Sequence, residues 1–214
     1  MKKCLLFIPR NHRLFYDATT IISKYFEIVN TVDEENFTSE ESLMNLEPDF
    51  VCSFLNQIIL KGPFLDIANV NFHPAPPKYP GRGGASLALF NDEKTYGATA
   101  HKMTRQIDAG EIYSVSEFQI DSFETCESLY ARAEISCLDL LNTFCHEIKR
   151  TSSFPKSLDI QWKRSDVKTQ EFQEWLILDP SNTEEFHKKV KAAKHPKFPG
   201  PYIIVNGLKF SLCT

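Results

Sequence analysis

No two cysteines of this chain stand as a Cys-x-x-Cys pair. The six present, Cys4, Cys52, Cys126, Cys137, Cys145 and Cys213, are scattered, so a disulfide framework is not expected and a reducing cytoplasm fits best. Cys126 and Cys137 fall on one face of a helical pattern and read as core. Positive charge is not in excess. The 24 basic against 28 acidic residues give a formal net charge of −4, which argues against broad nucleic-acid binding. Long hydrophobic runs are missing too, and no segment is apolar for the twenty or so residues a bilayer needs. The apolar start, Leu5 to Ile8, is cut off by Pro9, Arg10, Asn11 and His12. It reads as a first strand rather than a leader, and no membrane partner is expected. Internal repeats and low-complexity tracts are lacking as well.

What is present suits one domain with an appendage. The chain has 214 residues, 42% of them hydrophobic, enough to bury a core. Apolar runs at Lys3–Ile8, Glu27–Thr31, Asp49–Leu55 and Asn69–Phe72 read as strands. Helical stretches are expected over His12–Phe26 and Ile58–Ile67, the second broken near Gly62-Pro63. Asp33–Glu47 is polar and weakly patterned. Strands alternating with helices imply an α/β fold with a mostly parallel sheet. A short helix is read at Ala85–Phe90, and strands at Tyr96–Met103 and Glu111–Ile120. Asp121-Ser122-Phe123-Glu124 resembles a capping box. Behind it Cys126, Leu129, Ala133, Cys137, Leu141, Phe144 and Ile148 recur at three- and four-residue spacing, the pattern of a long amphipathic helix. The boundary is placed after Arg150, with residues 151–214 as a C-terminal appendage. Thr151–Gln170 is irregular. Ser181-Asn182-Thr183-Glu184 caps a helix that Pro196 stops, and Asn206-Gly207 between two apolar runs marks a β-hairpin. That hairpin either closes within the chain, the simpler reading, or extends a sheet in a homodimer.

Three polar residues stand out against this frame. Asn71 and His73 end the strand Asn69–Phe72 and, two residues apart, fall on the same side. Asp108 arrives about 35 positions later in the turn Thr104–Gly110. An amide can steady a developing oxyanion, an imidazole can hold or move a proton, and a carboxylate can tune the imidazole. Alone, each has a plainer explanation as a strand-end cap, a loop histidine or a turn residue. His101, in an alternating strand, reads as structural. Arg82 reads as a phosphate contact or a solvated charge. The lysines Lys188, Lys189, Lys191, Lys194 and Lys197 read as a wet helix face, and Trp162 and Trp175 as anchors of the tail.

The segment Asn71-Phe72-His73-Pro74-Ala75-Pro76-Pro77-Lys78-Tyr79-Pro80-Gly81 resembles the signature loop of folate-dependent formyltransferases. Tyr96-Gly97-Ala98-Thr99-Ala100-His101-Lys102-Met103 and Ile107-Asp108-Ala109-Gly110-Glu111-Ile112 are similar to that family's second block, in the same order and separation. The resemblance implies a Rossmann-like formyltransferase fold over residues 1–150, with 10-formyltetrahydrofolate as co-substrate and no metal. The family's functional trio falls on Asn71, His73 and Asp108. Its pterin pocket, built largely from backbone, maps to Phe54–Ile59 and Met103–Asp108, so Phe54, Gln57, Ile59, Arg105 and Asp108 are the candidate folate contacts. The loop departs from the family in carrying Ala75-Pro76-Pro77 where Ser-Leu-Leu-Pro is common. Glycinamide ribonucleotide formyltransferases resemble one another in a glycine-rich phosphate loop after the first strand. Pro9-Arg10-Asn11-His12-Arg13 holds no glycine there, so that phosphate cradle is missing. The resemblance is nearest to sugar-nucleotide N-formyltransferases, with a nucleotide-linked amino sugar as acceptor. A methionyl-tRNA or other amine formyltransferase is the alternative.

Overall fold

The computed structural model describes residues 1–163 and 165–212. A six-stranded sheet forms the centre, in the order β2-β1-β3-β4-β5-β6. It comprises β1 (Lys3–Phe7), β2 (Glu27–Val32), β3 (Phe50–Phe54), β4 (Ala68–His73), β5 (Thr95–His101) and β6 (Ile112–Gln119). The first four run parallel, whereas β5 is antiparallel to both β4 and β6. β1 and β3 are covered on both faces, which is why they read as unbroken apolar runs rather than alternating ones.

Helix α5 (Cys126–Thr151) is the long amphipathic helix that the spacing predicts. Its Cys137, Leu141, Phe144 and Ile148 pack with α1 (Phe15–Ser23) against Leu6, Cys52, Val70, Phe72 and Ala100 of the sheet. The opposite face is closed by Leu43, Leu60 and Phe64 over Leu5, Phe7, Val51 and Met103. A third cluster, between α4 (Gly84–Phe90) and the start of α5, gathers Tyr79, Tyr96, Ala85, Ala88, Cys126 and Leu129. Five cysteines are buried free thiols; Cys213 lies outside the described residues. No helix among the described residues is long and apolar enough to cross a membrane.

Several boundaries differ from the sequence expectation, each for a local reason. α1 starts at Phe15, not His12. His12 and Arg13 are drawn instead to the buried carboxylate of Glu134 on α5, at 3.0 Å from His12 and 2.8 Å from Arg13. Only Pro63–Asp66 of the stretch 58–67 is helical (α3), because Gly62 turns the chain at φ +54° and residues before it stay extended. The weakly patterned 33–47 region contains α2 (Glu40–Met44), capped by the Ser39 hydroxyl accepting from Ser42 N–H at 3.1 Å. α5 is capped by Thr125 and Ser128 rather than by Asp121-Glu124; both of those acids pair with Arg132.

After α5 the chain turns back past the start of β6 and the loop that follows β4. Leu158 N–H donates to Ile112 O at 2.7 Å, and Val167 N–H donates to Pro80 O at 3.0 Å. Helix α6 (Thr169–Trp175), which begins at the end of the stretch read as irregular and was not foreseen, stacks Phe172 on Trp175. Helix α7 (Thr183–Ala193) docks on α4, with Lys188 paired to Asp92. The hairpin of β7 (Tyr202–Val205) and β8 (Leu208–Ser211) forms as expected. Asn206 and Gly207 both have positive φ, the turn that fits the twist of paired strands.

Asn69 fastens the sheet to the site. Its amide donates to the carbonyls of Phe64, Leu65 and Ile67, and its oxygen accepts from Met103 N–H at 2.7 Å. Asn69→Ala leaves these buried groups unpaired and is expected to cost about 3 kcal/mol, read as a lower midpoint in urea unfolding. An unchanged midpoint would mean that the four bonds contribute nothing net.

Candidate active site

Side chains alternate along β4. Val70 and Phe72 point into the core under α5, while Asn69, Asn71 and His73 share the other side. Because β4 belongs to the parallel set, its carboxyl end is the rim where open α/β sheets hold ligands. The antiparallel register of β5 sets His101 opposite Asn71 and Thr99 opposite His73. Thr99 Oγ1 donates to Ala75 O at 2.8 Å and holds the start of the proline-rich loop.

Asp108 reaches the same place from the turn after β5. The turn closes because Gly110 lets the Lys102 carbonyl approach: a Cβ at 110 would lie 2.0 Å from that oxygen. Asp108 takes a positive φ of 43°. Its Oδ2 accepts from Gly81 N–H at 2.8 Å and stands 3.4 Å from His73 Nδ1; its Oδ1 stands 3.2 Å from His101 Nε2. Burial alone would raise this carboxyl. The charge of His73, the hydrogen bond and charge of His101 and the Gly81 amide together outweigh it and hold the group well below the usual carboxylate range. Two imidazoles thus share one buried carboxylate.

Counting protons shows what this sharing demands. His73 Nε2 is 3.0 Å from Tyr79 O and His101 Nδ1 is 2.9 Å from Lys102 O. A carbonyl only accepts, so both nitrogens carry hydrogen. The other nitrogen of each ring faces Asp108, and a neutral ring would set a lone pair against the carboxylate there. Asn71 Nδ2 is also 3.1 Å from His101 Nε2. If that nitrogen is protonated toward Asp108, the Asn71 amide is satisfied with its oxygen toward the ring. Its NH2 then faces the open side. The cluster therefore favours a proton held between histidine and aspartate, and it can present an amide donor.

Asn71, His73, His101 and Asp108 line one cleft of about 570 Å³. Gln57 and Ile59 lie on its wall, with Leu55, Ile58, Leu60, Met103 and Ile107. Leu55 has φ +51°, a backbone strain that turns the 55–60 segment along the cleft. Phe54 does not reach the cleft; its ring is buried against Phe72. Arg105 is exposed outside the lining. Apolar walls with backbone edges suit a flat heteroaromatic ring. Among the described residues no cluster of His, Cys, Asp or Glu is arranged to hold a metal ion.

Two members of the site were not picked out as such from the sequence. His101, read as structural, touches both Asn71 and Asp108; the signal available was its place in the second block. Trp162 does anchor the tail, through Nε1–H to Gly110 O at 2.8 Å, but its ring also stands edge-on to His101 at 5.0 Å and to His73 at 6.2 Å. It shields the histidine cluster from water.

The chain is 36% identical over 101 residues to the methionyl-tRNA formyltransferase of Borrelia duttonii, a match covering 45% of this chain and 33% of that protein. It spans about half or less of the length of the curated relatives it matches. A sugar N-formyltransferase from a Shewanella species superposes with a TM-score of 0.81 at 19% identity, over 99% of this chain and 96% of that one. The N-formyltransferase of Helicobacter canadensis, solved with folinic acid and dTDP-3-aminofucose, superposes with a TM-score of 0.68 at 18% identity, over 98% and 86% of the two chains. The model of the formyl transferase family matches residues 11–137, a stretch that takes in β2 to β6, Asn71, His73 and Asp108, and the chain belongs to that family.

Proposed function

We propose that this protein transfers the formyl group of 10-formyltetrahydrofolate to the amine of a nucleotide-linked amino sugar. The observation that carries the reading is the convergence of Asn71, His73 and Asp108 on one cleft in a member of the formyl transferase family. The acceptor class rests on two solved structures that match this chain over most of their length, the sugar N-formyltransferase from Shewanella and the N-formyltransferase solved with dTDP-3-aminofucose.

The folate brings an activated formyl carbon; the protein supplies position and charge. Asn71 donates its N–H to the formyl oxygen as negative charge builds there, a contact worth about 3 kcal/mol. His101, 3.1 Å from the amide, holds it in place. A new C–N bond forms to the acceptor, the bond to the folate nitrogen breaks, and the proton that the amine loses passes by way of the His73–Asp108 pair to that leaving nitrogen. Holding the amine and formyl group together supplies much of the remaining acceleration.

Thermal-shift measurements with folinic acid, dTDP, UDP, GDP and tRNA test the reading. Folinic acid and one nucleoside diphosphate are expected to raise the melting temperature, each in proportion to occupancy. Stabilisation by folinic acid and tRNA alone would replace the sugar acceptor by methionyl-tRNA.

A further inference from the structure

The cleft does not end at the Asn71–His73–Asp108 cluster. Its two walls belong to different layers. Leu60 and Met103 are part of the core on one side of the sheet. Ala85, Tyr96 and Cys126, on the far side of His73, are part of the cluster between α4 and α5. The second arm has no role in the folate contacts considered above. It runs from Gly81 to the segment after α7. Gly81 N–H binds Asp108. Arg82 follows, bonded through Nη1 to Gln57 Oε1 at 2.5 Å, and lines the arm with Tyr130. Tyr130 meets His195 and Phe198 edge-on, with ring centres 6.2 and 5.6 Å away.

The far end is aromatic and carries polar groups without protein partners. His195 and Phe198 stack at 4.4 Å with 30° between their planes. His195 is only 6% exposed, and its Nδ1 accepts from Lys197 N–H at 3.1 Å. The ring proton therefore sits on Nε2, and that donor has no hydrogen-bond partner among the described residues. The Tyr130 hydroxyl has none either. Neither atom is sealed away, since no buried polar side-chain atom among the described residues is unsatisfied, and both residues line the cleft. Phe198 keeps 47% of its surface exposed at the same place. Buried donors are ordinarily satisfied, so a donor left over in a cleft marks a ligand's place.

We propose that this arm holds the nucleobase of the acceptor, stacked on the face of the Phe198 ring that His195 leaves open, with the Tyr130 hydroxyl at its edge. Arg82 then meets the diphosphate midway between the base and the amine at Asp108. The order of groups in a sugar nucleotide (base, diphosphate, aminated sugar) matches the order Tyr130/His195/Phe198, Arg82, Asn71/His73/Asp108. A planar aromatic surface with a hydroxyl at its edge suits a base. The inference rests on the nucleotide-linked acceptor proposed above.

Isothermal titration of dTDP, UDP, GDP and folinic acid into the wild type, Phe198→Ala and Tyr130→Phe tests it. Phe198 is half exposed and Tyr130→Phe removes one oxygen, so both variants are expected to fold. The nucleotide that binds the wild type is expected to bind Phe198→Ala about tenfold more weakly and Tyr130→Phe several-fold more weakly, with folinic acid unchanged in both. Nucleotide binding undiminished in both variants would overturn the assignment of the arm while leaving the sugar-nucleotide reading intact. Loss of folinic acid in step with the nucleotide would give the arm to the folate tail instead. No nucleotide binding to the wild type, with folinic acid still bound, would remove the acceptor class and the assignment together.

Discussion

Asp108→Asn is expected to lower formyl transfer by about 10³- to 10⁴-fold, the scale seen when a carboxylate that orients an imidazole loses its charge. Two histidines depend on this one group, so the exchange disturbs both at once. The replacement amide cannot balance a proton shared between His73 and His101, and its NH2 faces one of their ring nitrogens. Stability is expected to fall as well, by about 3 kcal/mol at neutral pH, because a buried charge cluster loses its only anion. The pH dependence separates this from a general packing defect. Asp108 ionises more readily in the folded protein than in the unfolded chain. Its contribution is therefore complete above the ordinary carboxylate value of about 4 and is lost as pH falls below that value toward the depressed folded one. Urea unfolding of wild type and variant should differ most at pH 7 and converge in acid. A variant with wild-type turnover, or a stability gap that does not narrow on acidification, would remove Asp108 from the centre of the mechanism.

The second large effect is expected from Gly110→Ala, although residue 110 reaches no ligand. A methyl group there would stand 2.0 Å from the Lys102 carbonyl oxygen, a backbone atom that cannot swing aside. That oxygen also accepts from His101 Nδ1, and Gly110 O accepts from Trp162. Relief of the clash must move the turn that carries Asp108, His101 or the tail. The expected cost is about 3 kcal/mol or more, a fall in melting temperature of about 10 °C. Turnover in the surviving folded fraction should fall by about 10²-fold from misplacement of the carboxylate. Circular dichroism melts combined with single-turnover formyl transfer would measure both. Unchanged melting would show that the turn has slack, and the spacing of Asp108 and Gly110 would then have no structural explanation here.

Much of this arrangement was legible in the sequence, and the reason is local. Period-2 and period-3.6 patterns are written by the burial of each element, so the sheet strands and α5 could be read directly. The Asn206-Gly207 turn answers a constraint set by its own backbone, and Asn71 and His73 are two residues apart on one strand. α2 and α6 escaped because they are short, polar and stabilised by caps and docking rather than by a stripe of apolar residues. α1 was overextended because His12 and Arg13 pair with Glu134, more than a hundred positions away.

The sequence by itself determined the six sheet strands, the long helix α5, the alternating α/β plan and the three residue types that point to acyl chemistry. Only the tertiary structure decided that one carboxylate serves two imidazoles, that Phe54 turns into the core and Arg105 away from the cleft, and that Tyr130, His195 and Phe198 meet. A pattern along the chain records which face of a segment is buried. It does not record what is buried against it, because the antiparallel register of β5, the approach allowed at Gly110 and the return of the tail past the start of β6 are contacts between distant parts of the chain.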